Sequence, residues 1–402
     1  MFTVRSVISS PLRSPLRAAL RHPTLSKGGG LSLLQLFRSG EDGFLFYPTS
    51  DLTRLFQLSN ASTGNAAVDG DPVGLDLDNH SWGAGTSLTA ILAAQPELVV
   101  GGSWTMSVAG GTSTATESPA GTLTLVPDGA NSSRGDQSFA TVVGKTYRVV
   151  STVATSASAI QIGTTAGGTQ NGTTTVNVGQ NIIYFVATAT TTFIRFIKTS
   201  AATSVISAIS CKLVPGNHAL QATTTKRPFW KANSGKPYLL IDGSDDTLVT
   251  PFLPTAALTI AAAVRFVTTG NIQAAIGGGN STGNNRVSLC LDTLGKASFT
   301  WGADLVTSHP QGSDITGADH ALLLTGDAVS VDLWLDGTLL YSGAPNGTPS
   351  GGSGGLSVGS RNNAGSSVDQ SNGRIYAALA LNRRVTPAEI AVITSKFQGA
   401  YQ

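Results

Sequence analysis

The chain has almost nothing with which to clothe a long helix: of its 402 residues only Glu41, Glu97, Glu117 and Glu389 are glutamate, and charged residues of every kind make up 12%. A helix-built protein of this length carries Glu and Lys over its solvent faces, so a predominantly helical fold is not expected. Gly, at 47 residues, together with Thr, Ser and Ala fills the space instead. β-Branched Thr suits an exposed pleated face and its hydroxyl keeps that face wet. A β-rich protein of two or three domains follows, at about 100 to 200 residues per domain.

Strand-like runs bear this out along the chain. Between residues 97 and 214 they are T-L-T-L-V (122–126), K-T-Y-R-V-V-S-T-V (145–153), N-I-I-Y-F-V-A-T (181–188), F-I-R-F-I-K (193–198) and V-I-S-A-I-S-C-K-L-V (205–214), separated by Gly, Asn and Thr turns. Short strands at that spacing indicate an antiparallel β-sandwich. From Tyr238 onward at least eight more runs follow in about 150 residues, the number a jelly roll requires. Ahead of both, Phe44 to Tyr47 reads as a strand, Asp51 to Phe56 as a helical turn and Asp69-Gly70-Asp71-Pro72 as a tight turn. The chain closes with Thr386 at a helix N-cap, Pro387 at N1 and Glu389 at N3, a capping box that sets Ile390, Ile393 and Phe397 on one apolar stripe.

The first forty residues behave differently. They carry Arg5, Arg13, Arg17, Arg21, Lys27 and Arg38 with no acid, which leaves 19 Lys and Arg against 23 Asp and Glu in the remainder: a basic arm on a body of net charge −4. Pro11, Pro15 and Pro23 forbid a regular helix there, so residues 1–42 are expected to form an extended arm ordered only against a partner. The arm's two aromatics, Phe2 and Phe37, are too few to stack on a run of bases, and no nucleic-acid partner is expected. Nor is a secretory leader or a membrane-inserted segment expected, since every apolar run is short or broken by charge and proline. Cys211 and Cys290 have no metal-ligand spacing and are expected to be buried, inert thiols.

Three segments in order, Val331–Leu340 (V-D-L-W-L-D-G-T-L-L), Gly355–Ser360 (G-L-S-V-G-S) and Gly373–Ile390 (G-R-I-Y-A-A-L-A-L-N-R-R-V-T-P-A-E-I), resemble the closing strands and helix of the concanavalin A-like lectin/glucanase (laminin G-like) superfamily. Four others, Pro48–Gln57, Gly70–Leu75, Asn217–Pro228 and Gly235–Asp246, resemble bacteriophage particle proteins of that superfamily. In simpler relatives the second and third of these lie almost side by side; here about 140 residues separate them. The intervening text, with E-L-V-V-G-G-S-W (97–104), V-V-G-K-T-Y-R-V (142–149) and I-S-C-K-L-V-P-G-N-H (209–218), resembles jelly-roll carbohydrate-binding modules.

The resemblance implies an all-β chain of two antiparallel jelly-roll sandwiches with an extended N-terminal arm and a short C-terminal helix: arm 1–42, leading edge 43–96, inserted sandwich 97–214 and lectin-like sandwich 215–402. It further implies a structural or adhesive virion component (tail fibre, spike or head decoration), anchored to other virion proteins through Arg5, Arg13, Arg17 and Arg21, assembled as a homotrimer and contacting host surface glycans. A passive cement protein and a polysaccharide-degrading tail enzyme are the alternatives.

For chemistry the residues offer little. Glycoside hydrolysis needs two carboxylates across a cleft, and the four scattered glutamates make no such pair, so no catalytic residue is assigned. None of the five histidines lies in a G-x-S-x-G context, and His218, in its G-N-H turn, reads as a structural hydrogen-bonder. Trp104 and Tyr147 are the candidate sugar platforms, with Trp334 placed on the strand face opposite Leu333 and Leu335. Asp242, Asp245 and Asp246 in D-G-S-D-D are either hard-oxygen ligands for a structural Ca²⁺ or an Asx-rich turn; no other cofactor is implied.

Overall fold

The computed structural model describes residues 32–37, 41–47, 55–56, 68–78, 88–221, 223–233, 236–279, 285–303, 309–349 and 354–402. The arm arginines Arg5, Arg13, Arg17 and Arg21, and also Trp82, lie outside the described residues. Among those described, the strands form four sheets and the protein is all-β, with helices at Leu88–Ala94 and Pro387–Tyr401.

Strands between Thr105 and Val214 pair only with one another, in two five-stranded sheets. One contains Thr114–Glu117, Leu123–Val126, Ser204–Val214, Thr146–Val153 and Gly179–Val186; the other runs Gly172–Val176, Ser158–Gly163, Thr191–Lys198, Ser133–Ala140, Thr105–Val108. Period-two alternation explains how they face each other. In Thr191–Lys198 the residues Thr192, Ile194, Phe196 and Lys198 are buried while Phe193, Arg195 and Ile197 are only partly so. The inward set joins Trp104, Tyr147, Val149, Ile160 and Phe185 in one core.

The remaining strands make an eight-stranded and an eleven-stranded sheet that enclose a second core around Phe44, Trp230, Phe252, Phe299 and Trp301. Leu258–Phe266 (L-T-I-A-A-A-V-R-F) is apolar without alternation because both of its faces are covered. Ile260, Ala262 and Val264 point into the sandwich core, while Ala261 and Ala263 face outward beneath the C-terminal helix. Small side chains there let the helix approach, and Ile390, Ile393 and Phe397 fill the contact. The helix begins as its sequence dictates: Thr386 accepts the Glu389 N–H, and the Glu389 carboxylate accepts the Thr386 N–H at 2.8 Å.

Two expectations are corrected. The arm is not extended to residue 42, because Leu33–Phe37 forms a 3-10 turn whose Leu33, Leu36 and Phe37 are buried against the C-terminal helix and the outer sheet face. Arg383 Nη2 donates to the Leu36 carbonyl at 2.9 Å and fixes the turn. Local apolar density, L-L-Q-L-F, outweighs the proline-rich text before it. Second, Leu55–Phe56 pairs as a strand with Leu75–Asp76 rather than completing a helical turn; residues 51–54 lie outside the described set.

The chain leaves the larger sandwich after Asp78 and returns at Asn217. Asp78, fully buried, accepts the N–H groups of Leu45 (3.0 Å) and Asn217 (2.8 Å), and its own N–H donates to His218 Nδ1 at 2.9 Å. His218 Nε2 lies 3.0 Å from the Val214 carbonyl. With Nδ1 accepting, the proton sits on Nε2 and donates to that carbonyl. The structural role read for this histidine is the one it has.

Candidate functional site

The outer face of the sheet containing Thr191–Lys198 presents a grid fixed by register. One row is Gln161, Arg195, Asp136 and Thr105; the next is Gly163, Phe193 and Ser138. Arg195 Nε donates to Asp136 Oδ1 at 2.7 Å and Nη2 to Oδ2 at 3.2 Å, a fork that fixes both side chains. The two are largely withdrawn from water, at 15% and 12% side-chain exposure. A loop passes directly over the guanidinium. A Cβ on Gly167 would fall 2.1 Å from Arg195 Nη1, which shows how closely the loop approaches, and the φ of +77° at this residue favours glycine. Gln161 Oε1, beside Arg195 in the row, is buried without a partner.

Over this floor opens a groove of about 380 Å³ lined by Leu98, Val100, Ser103, Thr105, Asp136, Gln137, Ser138, Ala166 and Phe193. Gln137 builds one wall: its amide accepts the Val100 N–H at 3.0 Å and donates to the Val100 carbonyl at 2.7 Å, clamping the segment before Thr105 to the sheet. The half-buried Phe193 ring supplies an apolar surface beside exposed Ser138, Thr105 and Ser103. An aromatic face flanked by directional polar groups is the arrangement that holds a pyranose ring, whose C–H face stacks while its hydroxyls seek partners.

The groove contains one carboxylate, Asp136, already paired. All four glutamates are engaged elsewhere. Glu41 lies 3.2 Å from Arg383 Nε, and Glu389 caps the final helix. Glu97 accepts the Cys211 N–H and the Ser210 hydroxyl, each at 2.6 Å, where an extra residue bulges Ser204–Val214. Glu117 accepts three backbone N–H groups, from Gly102, Gly121 and Trp104. Burial raises its pKa, but those three bonds together hold it below the ordinary value.

The expected sugar platforms fall elsewhere. Trp104 is 7% exposed and packs on Phe196 at 5.8 Å between ring centres. Tyr147 is 3% exposed, stacked on Phe185, with its hydroxyl accepting the Val142 N–H. Both spend their faces on the inserted core, so neither offers a platform; the requirement for large apolar groups in a small sandwich decides their place. Trp334 does lie opposite Leu333 and Leu335, partly buried beside the C-terminal helix. Phe193 lies in the run F-I-R-F-I-K (193–198), itself legible as a strand, and its alternation with Ile194 and Phe196 is the signal that turns it to the outer face.

Asp242, Asp245 and Asp246 come together, each offering an oxygen within 4.8 Å of the others. Asp242 Oδ1 accepts the Ser244 N–H at 2.8 Å and Asp246 Oδ2 the Asp242 N–H at 3.0 Å, so the oxygens close an Asx turn. They are also donors of the kind Ca²⁺ takes. Both cysteines are buried free thiols. Among the described residues no helix is long and apolar enough to cross a membrane.

No family model matches the chain, and no curated protein matches it. Similar solved structures include the CBM40 of a Ruminococcus gnavus IT-sialidase bound to α2,3-sialyllactose, 14% identical with a TM-score of 0.26 over 35% of this chain and 84% of that one. A Trypanosoma rangeli sialidase in complex with 2,3-difluorosialic acid is 17% identical, with a TM-score of 0.35 over 46% of this chain and 30% of that one. Domain 4 of AbnA, a GH43 arabinanase of Geobacillus stearothermophilus in complex with arabinotriose, is 15% identical with a TM-score of 0.33 over 44% and 81% respectively.

Proposed function

We propose that this protein is a non-catalytic, glycan-binding component of a bacteriophage particle, and that residues 97–214 grip the saccharide. The observation that carries the binding role is the groove beside Phe193, with its desolvated Arg195–Asp136 pair as floor and its clamped Gln137 wall. Rigid polar groups next to an aromatic face bind a sugar without reorganising, which keeps the entropic cost low. One paired carboxylate in the groove favours binding over hydrolysis, which needs two. The particle role rests on the sequence likeness of Pro48–Gln57, Gly70–Leu75, Asn217–Pro228 and Gly235–Asp246 to phage proteins. In this reading the basic arm joins neighbouring virion proteins and the chain assembles as a homotrimer.

A glycan array probed with the full chain tests the proposal. Binding to a restricted set of host surface sugars, lost in Phe193→Ala while the melting curve is kept, is expected. Retention of no sugar at all would leave a passive cement role, and release of reducing sugar from host capsule would establish an enzyme.

A further inference from the structure

The lectin-like sandwich carries a cavity of its own, far in sequence from the groove and independent of it. A pocket of about 200 Å³ opens on the outer face of the eleven-stranded sheet, and Gln221, Lys226, Thr247, Ser357, Asn362 and Ser367 are among its lining residues. Strand alternation puts it there. Leu248, Leu356 and Val358 enter the core, which turns Thr247 and Ser357 to the opposite face, and pairing of Leu248 with Val358 sets their strands side by side. The walls are held in place by their own amides. Gln221 donates to the Thr247 carbonyl at 3.2 Å and accepts the Thr223 N–H at 2.9 Å; Asn362 donates to the Gly355 carbonyl at 3.2 Å and accepts the Gly365 N–H at 2.9 Å. Gln221, Thr247, Ser357 and Asn362 are each more than nine-tenths buried, so the polar lining is built into the fold.

Every hydroxyl proton of this wall has an assigned place. Ser357 donates to backbone carbonyls, Ser360 at 2.8 Å and Gly277 at 3.2 Å, so in its 3.1 Å contact with Ser360 the Ser360 hydroxyl is the donor. Its single proton thus used, Ser360 Oγ accepts from Thr247 at 2.6 Å and from Ser367 at 2.7 Å. Thr247 and Ser367 therefore spend their protons inward and keep only lone pairs for a ligand. The charged residue of the lining is Lys226, part-buried; its ammonium forms no ion pair among the described residues, and no carboxylate lines the pocket. One side supplies a cation and the other supplies acceptors. A bare oxyanion, which only accepts, suits the ammonium but meets lone pairs opposite. A neutral polyol suits the hydroxyl oxygens but leaves the ammonium without a counter-charge. A molecule that carries an acid beside hydroxyl groups satisfies both.

We infer that this pocket binds the acidic end of a hydroxylated molecule, with an anionic group on the Lys226 ammonium and neighbouring hydroxyls donating to Thr247 and Ser367. Its volume lies below the roughly 300 to 1,000 Å³ of pockets for larger ligands, which suits one sugar ring or a short polyol. Sugar acids and polyol phosphates share this chemistry. Calorimetric titrations of the full chain carrying Phe193→Ala, which takes the groove out of the measurement, test the inference with sodium glucuronate, sodium glycerol 3-phosphate, glucose and sodium sulfate at matched ionic strength. At least one of the two hydroxylated acids should bind saturably, the tighter naming the source, with glucose and sulfate each weaker by about tenfold or more. Adding Lys226→Met should bring the preferred acid down to the affinity of glucose. Adding Ser367→Ala instead, which keeps the charge, should weaken that acid about fivefold; a merely electrostatic attraction to Lys226 would not respond. Both residues are part-exposed, and an unchanged melting temperature certifies each variant as folded. Sulfate or glucose bound as tightly as the acids, neither acid bound, or an affinity that both variants leave unchanged would overturn the inference. Because the groove is disabled throughout, failure here and failure at Phe193 are separable.

Discussion

His218 accepts the backbone N–H of Asp78 on Nδ1 at 2.9 Å, across 140 residues of intervening chain. The bond lies where the chain departs for the inserted sandwich and where it comes back, and the Asp78 carboxylate closes the same junction by accepting Asn217 and Leu45. Leu75, Leu77, Leu92, Tyr184 and Val214 pack around it, joining strands of both sandwiches and the short helix Leu88–Ala94 in one small core.

Replacing the imidazole removes two buried hydrogen bonds, to the Asp78 N–H and the Val214 carbonyl. His218→Ala is therefore expected to cost about 2 to 4 kcal/mol. Urea denaturation reads it as a lower midpoint; an unchanged midpoint would show that the junction contributes nothing to stability.

Truncation separates the arm from the body. Deleting residues 1–30 should leave the melting temperature of the body unchanged and abolish incorporation into particles. Deleting residues 1–40 also removes buried Leu33, Leu36 and Phe37, at about 3 kcal/mol or more. Equal melting temperatures for the two truncations would contradict the packing of Leu33–Phe37, and particles that carry the shorter deletion would contradict the anchor.

Acidity should act through Asp246. Its burial, with Asp242 and Asp245 alongside, pushes its pKa up from 3.8 to about 6 against the opposing hydrogen bond from the Asp242 N–H. The fold thus favours the protonated carboxyl. That contribution is complete below the unfolded value and is lost as pH rises through about 6. In a chelating buffer Asp246→Asn should add about 1 kcal/mol at neutral pH and flatten the stability profile between about pH 4 and pH 6. A variant whose profile parallels that of the wild type would rule this out.

Much of the architecture could be read in advance, and the reason is physical. Leu123–Val126, Thr146–Val153, Gly179–Val186 and Ser204–Val214 coincide with the apolar runs at 122–126, 145–153, 181–188 and 205–214, because a strand that lines a core must carry apolar residues. The capping box at Thr386 is equally local: three residues within one turn specify it. Four strands of the facing sheet, such as Ser133–Ala140 (S-R-G-D-Q-S-F-A) and Gly172–Val176 (G-T-T-T-V), went unread since pairing, not propensity, makes them strands. The groove residues Thr105, Asp136, Gln137 and Ser138 stand on those unread strands, whereas Trp104 and Tyr147 stand on conspicuous apolar text. Aromatic residues in a sandwich are drawn first to its core. A binding aromatic such as Phe193 is recognised by which face its strand turns outward, and there the period-two alternation with Ile194 and Phe196 carries the signal.

The most direct test of the central claim is a crystal structure of the full chain soaked with the saccharide that binds it best on the array. A pyranose ring stacked at about 4 Å on Phe193, with hydroxyls hydrogen-bonded to Asp136, Gln137 or Ser138, is the predicted result. A saccharide bound firmly elsewhere with the Phe193 groove empty would contradict it.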